Sequence, residues 1–358
     1  MTRFVLDMSD RRPIWAMPDW VPERIRQALP SEWTLDVMEE ETDGSGDGAG
    51  RVAEAVQRAV RDAEIYCGYG IPAALLDAGP RLRWVHSGAA GVGSSLTSTM
   101  MASEAVFTNS AGIHAPPMAE TVLAMLLYFG RGLDLAAASK ARKEWSTTPY
   151  YVAGAPLTEL SSSTVGIVGF GGIGRALAAR VAAIGGRVIA LKRNPPNDED
   201  RGLTSVAGGG TLDDRVEILS GSAGLDELLR RSDAVVVAAP DTPATRGMID
   251  ADAFARMKRG CVFVNVARGR LVDEASMIEA LREGQIRGAG LDVFEEEPLP
   301  PSSPLWEMPQ VVVTPHVSAV TRGYWERECG LIVRNLRRYL SRDPLGSWEN
   351  VVDKAAGY

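Results

Sequence analysis

Residues 164–193 read TVGIVGFGGIGRALAARVAAIGGRVIALKR, and this stretch decides the fold of the chain. Thr164–Val168 is a short apolar run that predicts a strand, and Val188–Leu191 predicts a second one. Between them, apolar residues recur at steps of three and four, which indicates one face of a helix that ends at Gly185-Gly186. A strand, turn, helix and strand in about thirty residues have the size of one βαβ unit.

The turn of this unit carries Gly169, Gly171 and Gly174 in the spacing G-x-G-x-x-G. Gly169 permits a tight turn, Gly171 lets the backbone approach a pyrophosphate, and Gly174 lets the helix pack closely on the sheet. The first helical amides, at Gly172 and Ile173, are expected to donate hydrogen bonds to phosphate. We therefore predict a dinucleotide site here; the alternative is a glycine turn with a purely structural role.

The second strand of the unit ends at Lys192 and Arg193, where an NAD site usually has an acidic residue for the ribose 2′-hydroxyl. Two cations suit a 2′-phosphate instead. The two cations therefore favour NADP(H) as the cofactor. The alternative is that they form a basic loop end that faces solvent, in which case NAD(H) remains possible. Asp198–Asp200 follow and are candidates for neutralising the two cations.

Composition limits the classes of function. The chain has 358 residues, which suggests two domains, and a net charge of −8, which argues against a nucleic-acid partner. Three separated cysteines indicate neither a disulfide framework nor a metal site. The N-terminal residues lack the apolar core of a signal peptide, and no apolar run has membrane-spanning length. We expect a cytoplasmic protein with no membrane partner.

Strand and helix patterns alternate along the whole chain, which predicts an α/β fold of two Rossmann-like, doubly wound parallel-sheet domains. A long apolar helix is expected over Met118–Leu135, after a break at Pro116-Pro117. We expect residues 1–116 and 310–358 to form a substrate domain. Residues 117–309 then form a dinucleotide-binding domain inserted into it, with the second crossing between Pro309 and Pro315.

Polar residues follow three apolar strands, in the segments Asn265–Gly269, Asp292–Pro298 and Thr314–His316. The carboxyl ends of parallel strands meet at one edge, so a guanidinium, a carboxylate and an imidazole are expected to lie together. Each of these three groups, taken alone, has an ordinary alternative explanation. The arginine could form a surface ion pair, the glutamates a solvated acidic loop, and the histidine could have a structural role.

A loop of small residues follows another predicted strand, with Ala89, Ala90 and Gly91 at its centre. Its amides are suited to a carboxylate, and a plain turn is the alternative. Met100, Met101 and Trp145 are the candidates for a pocket wall. Of the other histidines, His114 is expected to line a cleft or to pack in the core.

The chain resembles the D-isomer-specific 2-hydroxyacid dehydrogenase family, in its glyoxylate/hydroxypyruvate reductase branch. The matching motifs are HSGAAGVG, NSAGIHAPPMAE, GFGGIG, AAPDTPATRGMID, FVNVARGRLVDEASMIEAL, GAGLDVFEEEPLP and TPHVSA. The resemblance implies Arg268, Glu297 and His316 as catalytic residues. It implies cofactor contacts from Gly169, Gly171, Gly172, Ile173, Gly174, Ala239, Pro240, Thr245, Val266, Ala267, Arg268, Asp292 and His316. Lys192 and Arg193 depart from the acidic residue of the family pattern, and their predicted cofactor contact is based on their charge. The resemblance implies substrate contacts from Ala89, Ala90, Gly91, Arg268 and His316.

These residue types fit reduction of a small 2-keto acid to the D-2-hydroxy acid. A histidine supplies the proton, a carboxylate orients it, and an arginine holds the substrate carboxylate and polarises the carbonyl. A dehydrogenase of another small anion, of the formate or phosphite type, and a dinucleotide-sensing regulatory scaffold are the alternatives. The resemblance also implies a homodimer with the Met118 helix in its interface. No metal site is expected.

Overall fold

The computed structural model describes residues 2–40, 52–195 and 214–357. The chain forms two compact units, of which the first contains Met1–His114 and Val320–Tyr358 and the second contains Ala115–Ala319. The second unit is therefore inserted into the first. Each unit is built on a parallel sheet with helices, so the predicted α/β class with two Rossmann-like domains is confirmed.

The first unit has five strands among its described residues. They are β1 (Thr2–Asp7), β2 (Trp33–Val37), β3 (Ala63–Gly68), β4 (Trp84–Ser87) and β5 (Val106–Asn109). Their order is β2-β1-β3-β4-β5, and neighbouring strands are parallel. The helices are α1 (Trp20–Ala28), α2 (Glu54–Val60), α3 (Ala73–Ala78), α4 (Ser98–Ala102) and the C-terminal helix (Tyr324–Ser341). The register pairs Gly68 with Ser87 and Ser87 with Asn109, so these strands end level with one another.

The second unit has seven strands among its described residues. They are β6 (Thr164–Val168), β7 (Arg187–Lys192), β8 (Val216–Ser220), β9 (Ala234–Val237), β10 (Cys261–Asn265), β11 (Ile286–Leu291) and β12 (Val311–Val313). Their order is β12-β11-β10-β9-β6-β7-β8, again parallel. The helices are α5 (Ala115–Gly130), α6 (Leu133–Arg142), α7 (Thr148–Tyr151), α8 (Gly172–Ile184), α9 (Gly221–Arg231), α10 (Ala251–Arg256) and α11 (Glu274–Arg282).

Alternate residues of the second sheet enter two separate cores. In β9, Val235 packs with Phe254 of α10 on one face, whereas Val236 packs with Phe129 of α5 and Leu177 of α8 on the other. Because both faces of the sheet are covered, the central strand β9 is apolar throughout, as buried parallel strands usually are. This arrangement is the doubly wound architecture expected from the sequence.

The predicted helix over Met118–Leu135 is wrong in its bounds. Pro116 and Pro117 do not break the chain but lie in the first turn of α5, where an amide without an intrahelical acceptor is normal. The helix ends at Gly130, and Gly132 takes a left-handed conformation (φ 66°) before α6 begins. In the part of the chain that the structure describes, no single helix is long and apolar enough to cross a membrane. The pair α5 and α6, with a bend of 68° between them, has the necessary length and composition only when the two are taken together.

The second predicted crossing, between Pro309 and Pro315, is also displaced. Val311–Val313 pairs with β11 as the edge strand of the seven-stranded sheet, so residues 310–319 fold with the second unit. The first crossing falls between His114 and Ala115, within two residues of the predicted position. The assignment of substrate and cofactor roles to the two units stays a prediction.

Candidate active site

The loops of the second unit meet along the carboxyl edge of its sheet. Backbone hydrogen bonds of 2.8–3.3 Å join the first residues after one strand to the last residues of its neighbour, from Ala238 to Val168, Val266 to Val237, Asp292 to Asn265 and Thr314 to Leu291. The chain runs from β6 outward through β7 and β8 and then returns to β9 on the other side of β6. Open α/β sheets bind ligands at such a reversal of strand order.

The glycine turn lies at this reversal. Gly169 has φ 105°, and a Cβ there would lie 2.6 Å from backbone atoms of Ala238 and Ala239, so only glycine fits. A Cβ on Gly174 would collide with the carbonyl oxygen of Gly169. At Gly171, in contrast, a Cβ would meet no described atom within 4 Å. Two glycines are therefore required by the fold, whereas Gly171 adjoins open space at the start of α8.

The helix α8 begins at Gly172 with Gly171 as its N-cap, and no side chain caps it. Its first amides, including that of Ile173, can donate hydrogen bonds to an anionic ligand, since an α-helix has no internal acceptor for them. A dinucleotide fits these residues: the backbone is accessible, and the helix dipole favours its phosphates.

The loop after β9 forms the next wall of the edge. It starts with Ala238, Ala239 and Pro240, and the Thr245 hydroxyl donates to the carbonyl oxygen of Pro240 at 2.6 Å. The Thr242 amide donates to Thr245 Oγ1 at 2.9 Å, which closes the loop on itself. The described contacts of Thr245 thus stay within its own loop, and its contact with cofactor stays a prediction.

Two cations end β7, the strand beside β6. Lys192, the last residue of β7, is half-buried, and Arg193, which follows it, is exposed; the ribose contact in this architecture comes from the end of this strand. Asp198–Asp200, the predicted neutralising residues, lie outside the described residues.

The predicted acid–base pair is formed. His316 Nδ1 and Glu297 Oε2 are 2.8 Å apart, and the side chains are 45% and 35% exposed. Glu297 Oε1 accepts a hydrogen bond of 3.0 Å from the amide of Phe294 in its own loop. The carboxylate is therefore held at both oxygens, and the other ring nitrogen of His316, Nε2, has no hydrogen-bond partner among the described residues.

Asp292 organises the loop of His316, and its expected contact with cofactor stays a prediction. It is fully buried, and its carboxylate accepts hydrogen bonds from Thr314 Oγ1 at 2.6 Å and from the amides of Val317 at 2.8 Å and Ser318 at 3.0 Å. These partners flank His316, whose φ of 55° lies in the left-handed region. Asp292 thus holds the histidine loop in a conformation that a non-glycine residue seldom adopts.

The loop of Arg268 depends on two residues that the sequence analysis did not select. Asn265 accepts from the Ala267 amide at 3.1 Å and donates to the Arg268 carbonyl at 3.1 Å, which fixes the loop from within. A Cβ on Gly269 would collide with the backbone of Phe294. Both lie in the quoted motif, but hydrogen bonding and close backbone approach cannot be inferred from residue type.

Arg268 itself is exposed, and its Nη1 donates to the carbonyl of Ala267 at 2.8 Å. Since Gly269 packs on the loop that also carries Glu297, the arginine, glutamate and histidine loops form one connected surface. Glu274 extends this connection by accepting from the Glu295 amide at 3.2 Å. Partial burial raises the pKa of Glu274 above its usual value.

The predicted substrate loop belongs to the first unit. Ala89 is buried, whereas Ala90 is exposed and Gly91 is half-buried. The carbonyl oxygen of Ala89 accepts from the Ser110 amide at 3.2 Å, and that of Ala90 accepts from Asn109 Nδ2 at 2.8 Å. Among the described residues, the amides of Ala90 and Gly91 have no hydrogen-bond acceptor, which suits binding of a carboxylate.

The remaining candidates are placed as follows. The His114 ring stacks on Tyr324, with centroids 5.6 Å apart, so it packs in the first unit. Met100 is fully buried, Met101 is 49% exposed and Trp145 is 99% exposed.

The cysteines are buried and free, and burial raises the pKa of Cys261 to about 12 and that of Cys329 to about 11, so neither is a thiolate near neutral pH. The described residues contain no group of three or more candidate metal ligands.

The chain is similar in sequence to proteins of known family. A family model described as D-isomer specific 2-hydroxyacid dehydrogenase, NAD binding domain, matches residues 123–318. D-3-phosphoglycerate dehydrogenase of Mycobacterium tuberculosis is 37% identical over 76% of this chain but 47% of its own length, so the chain spans about half of that relative. Glyoxylate reductase of Thermococcus onnurineus is 32% identical over 88% of this chain and 89% of its own length.

Solved structures are similar over the whole chain. A D-isomer specific 2-hydroxyacid dehydrogenase from Xanthobacter autotrophicus Py2, in complex with NADPH and MES, is 29% identical with a TM-score of 0.76 and 99% of each chain covered. An NADPH-dependent glyoxylate/hydroxypyruvate reductase from Sinorhizobium meliloti, in complex with NADP and sulfate, is 29% identical with a TM-score of 0.72 and 100% of each chain covered.

Proposed function

Because the chain belongs to the D-isomer specific 2-hydroxyacid dehydrogenase family, we propose that it reduces a small 2-keto acid to the D-2-hydroxy acid with NADP(H) as its preferred cofactor. The observation that carries the proposal is the 2.8 Å pair of His316 and Glu297 at the carboxyl edge of the seven-stranded sheet. An imidazole whose ring is oriented by a carboxylate is the usual arrangement of a general acid–base residue.

The residues fit the dinucleotide as follows. Gly171 and the uncapped start of α8 accept the pyrophosphate, and Lys192 and Arg193 supply the charge that a 2′-phosphate requires. The loops with Ala239 and Val266 border the same edge. When bound, the nicotinamide supplies or accepts the hydride.

The chain's own residues handle the proton and the charge. Glu297 accepts a hydrogen bond from His316 Nδ1 and fixes the orientation of the ring, and His316 Nε2 donates a proton to the carbonyl oxygen of the substrate. Arg268 pairs with the substrate carboxylate and polarises the carbonyl. In the first unit, the amides of Ala90 and Gly91 have no acceptor among the described residues and are suited to a substrate carboxylate.

The test is turnover of a panel of 2-keto acids, with glyoxylate and hydroxypyruvate first, followed through the loss of NADPH absorbance. We expect reduction of at least one keto acid, slowed about 10²–10⁴-fold in His316→Gln. Formate or phosphite oxidation without keto-acid reduction would reassign the substrate. Tight NADPH binding without any turnover would instead favour a regulatory scaffold.

A homodimer is part of this proposal. The buried face of α5, which includes Val122 and Phe129, is used by the core of the second unit, so any contact through that helix must use its other face. Large apolar side chains nearby are exposed, notably Trp145 at 99% and Tyr151 at 85%. Light scattering of the purified protein would give the mass directly; a monomer at micromolar concentration would contradict it.

A further inference from the structure

The first unit contains a buried polar network that the proposed chemistry does not use. His86 lies on β4 and Glu328 on the C-terminal helix, and neither side chain is exposed. His86 Nε2 is 2.9 Å from Glu328 Oε1, and His86 Nδ1 is 2.8 Å from Thr108 Oγ1. Ser110 Oγ lies 3.0 Å from Glu328 Oε1. Four side chains from β4, β5, the loop after it and the C-terminal helix therefore meet without access to water.

Stability does not account for this network. Removing a carboxylate and an imidazole from water costs several kcal/mol, which their mutual attraction seldom exceeds, and apolar replacement of such pairs is often neutral or stabilising. Glu328 Oε2 has no hydrogen-bond partner among the described residues, which adds to the cost. The network must contribute something other than folding free energy.

Its hydrogen bonds lead to the substrate loop. The Ser110 hydroxyl also lies 3.0 Å from the Ser87 carbonyl oxygen, so its single proton is shared between that oxygen and Glu328. The Ser110 amide holds the Ala89 carbonyl at 3.2 Å, and the Ala89 amide donates to Ser87 Oγ at 3.2 Å. Ser110 thereby contacts the loop at Ser87 and again at Ala89, and Glu328 holds the Ser110 hydroxyl in place.

The consequence is a fixed orientation of the loop. With the carbonyl oxygens of Ala89 and Ala90 turned inward to Ser110 and Asn109, the amides of Ala90 and Gly91 are left for a ligand. If Ser110 shifted, the Ala89 carbonyl would lose its donor and the peptide plane before Ala90 would be free to rotate. Preorganised donors bind an anion more tightly than donors that must first be ordered.

We propose that His86, Glu328 and Ser110 are positioning residues, which hold the Ser87–Gly91 loop in the conformation that binds the carboxylate of the substrate. The inference rests on the proposed function for its ligand, and on the contacts within the first unit for its geometry.

The experiment compares wild type with the double variant His86→Leu/Glu328→Met, which replaces the network by apolar side chains of similar size. We expect the KM for glyoxylate to rise about tenfold, in line with loss of one oriented hydrogen bond to a charged ligand. The KM for NADPH and the thermal midpoint should not worsen. An unchanged KM for glyoxylate would overturn the inference, whatever happens to the thermal midpoint.

Two further variants keep the test decisive. Ser110→Ala removes a single hydroxyl and is expected to raise the KM for glyoxylate even if the double variant fails to fold. Tyr339→Phe is the matched control, because Tyr339 on the same helix bonds Glu64 near the amino end of β3 and has no described contact with the loop. A similar rise in KM in the control would reject a specific role of the network.

Hydrogen exchange separates failure of the inference from failure of the proposed function. Amides 86–92 should exchange faster in the double variant than in wild type, with no substrate present. If wild type reduces no keto acid, the proposed function fails while this measurement still tests the positioning role. Equal exchange in both proteins would refute it.

Discussion

At the carboxyl edge of the seven-stranded sheet, the candidate catalytic residues lie in short motifs directly after β10, β11 and β12. At the corresponding edge of the five-stranded sheet, the polar network joins His86 to Glu328, which are 242 positions apart. The first site is assembled by consecutive strands of one parallel sheet, whereas the second needs a helix from the far end of the chain. Local order in a sequence therefore reveals the reacting groups more readily than the groups that hold a binding loop.

The largest effect is expected at the seven-stranded sheet. His316→Gln should lower kcat about 10²–10⁴-fold, the usual contribution of a general acid, with NADPH binding unchanged. Steady-state kinetics with the best keto acid measure it, and Glu296→Gln, an exposed carboxylate in the loop of Glu297, is the control. Turnover of His316→Gln near that of wild type would remove His316 from the mechanism.

The cofactor preference comes next. Lys192→Ala/Arg193→Ala should lower kcat/KM with NADPH about 10–100-fold, because charged hydrogen bonds to the 2′-phosphate are lost, and should change the value with NADH much less. Arg187→Ala, at the opposite end of β7, is the control. Equal losses with both cofactors, or a wild-type preference for NADH, would contradict the assignment of these cations.

A backbone effect of intermediate size is expected at Gly269. Gly269→Ala forces a Cβ into the backbone of Phe294 and Glu295, so the loops of Arg268 and Glu297 must separate. We expect kcat/KM to fall about tenfold and the free energy of unfolding to fall by about 1–3 kcal/mol. At Gly346, a Cβ would meet no described atom within 4 Å, and Gly346→Ala should leave both unchanged. Full activity in Gly269→Ala would show that the two loops need not touch.

The smallest effect is electrostatic and lies in the first unit, away from the substrate loop. Hydrogen bonds from Arg334 and Arg338 lower the pKa of Glu349 from 4.5 to about 2. A lowered pKa stabilises the folded state above pH 4.5, and this contribution disappears as the pH falls toward 2. Glu349 is about one-third exposed, so solvent screening limits the effect to below about 1 kcal/mol.

Urea unfolding of wild type and Glu349→Gln checks this pH dependence. The variant should be slightly less stable at pH 7, and the difference should vanish near pH 2. A difference that stays constant with pH would show that the ion pairs are not its source.

The sequence predicted the fold class, the glycine turn and the meeting of Glu297 with His316, because strand ends in a parallel sheet share one edge. It missed Gly269 and Asn265, whose roles depend on backbone proximity rather than residue type. It misplaced the second crossing because strand pattern identifies Val311–Val313 as a strand without telling which sheet it joins. His86 offered no signal, since its partner Glu328 is distant in the chain.

The insertion of one unit into the other has a consequence for biosynthesis. Residues 115–319 emerge from the ribosome before residues 320–358, so the second unit can fold while the C-terminal helix is still being translated. Until that helix arrives, β4 carries His86 without Glu328. A truncated or stalled nascent chain would thus hold a complete second unit and a first unit whose sheet still lacks its C-terminal helix.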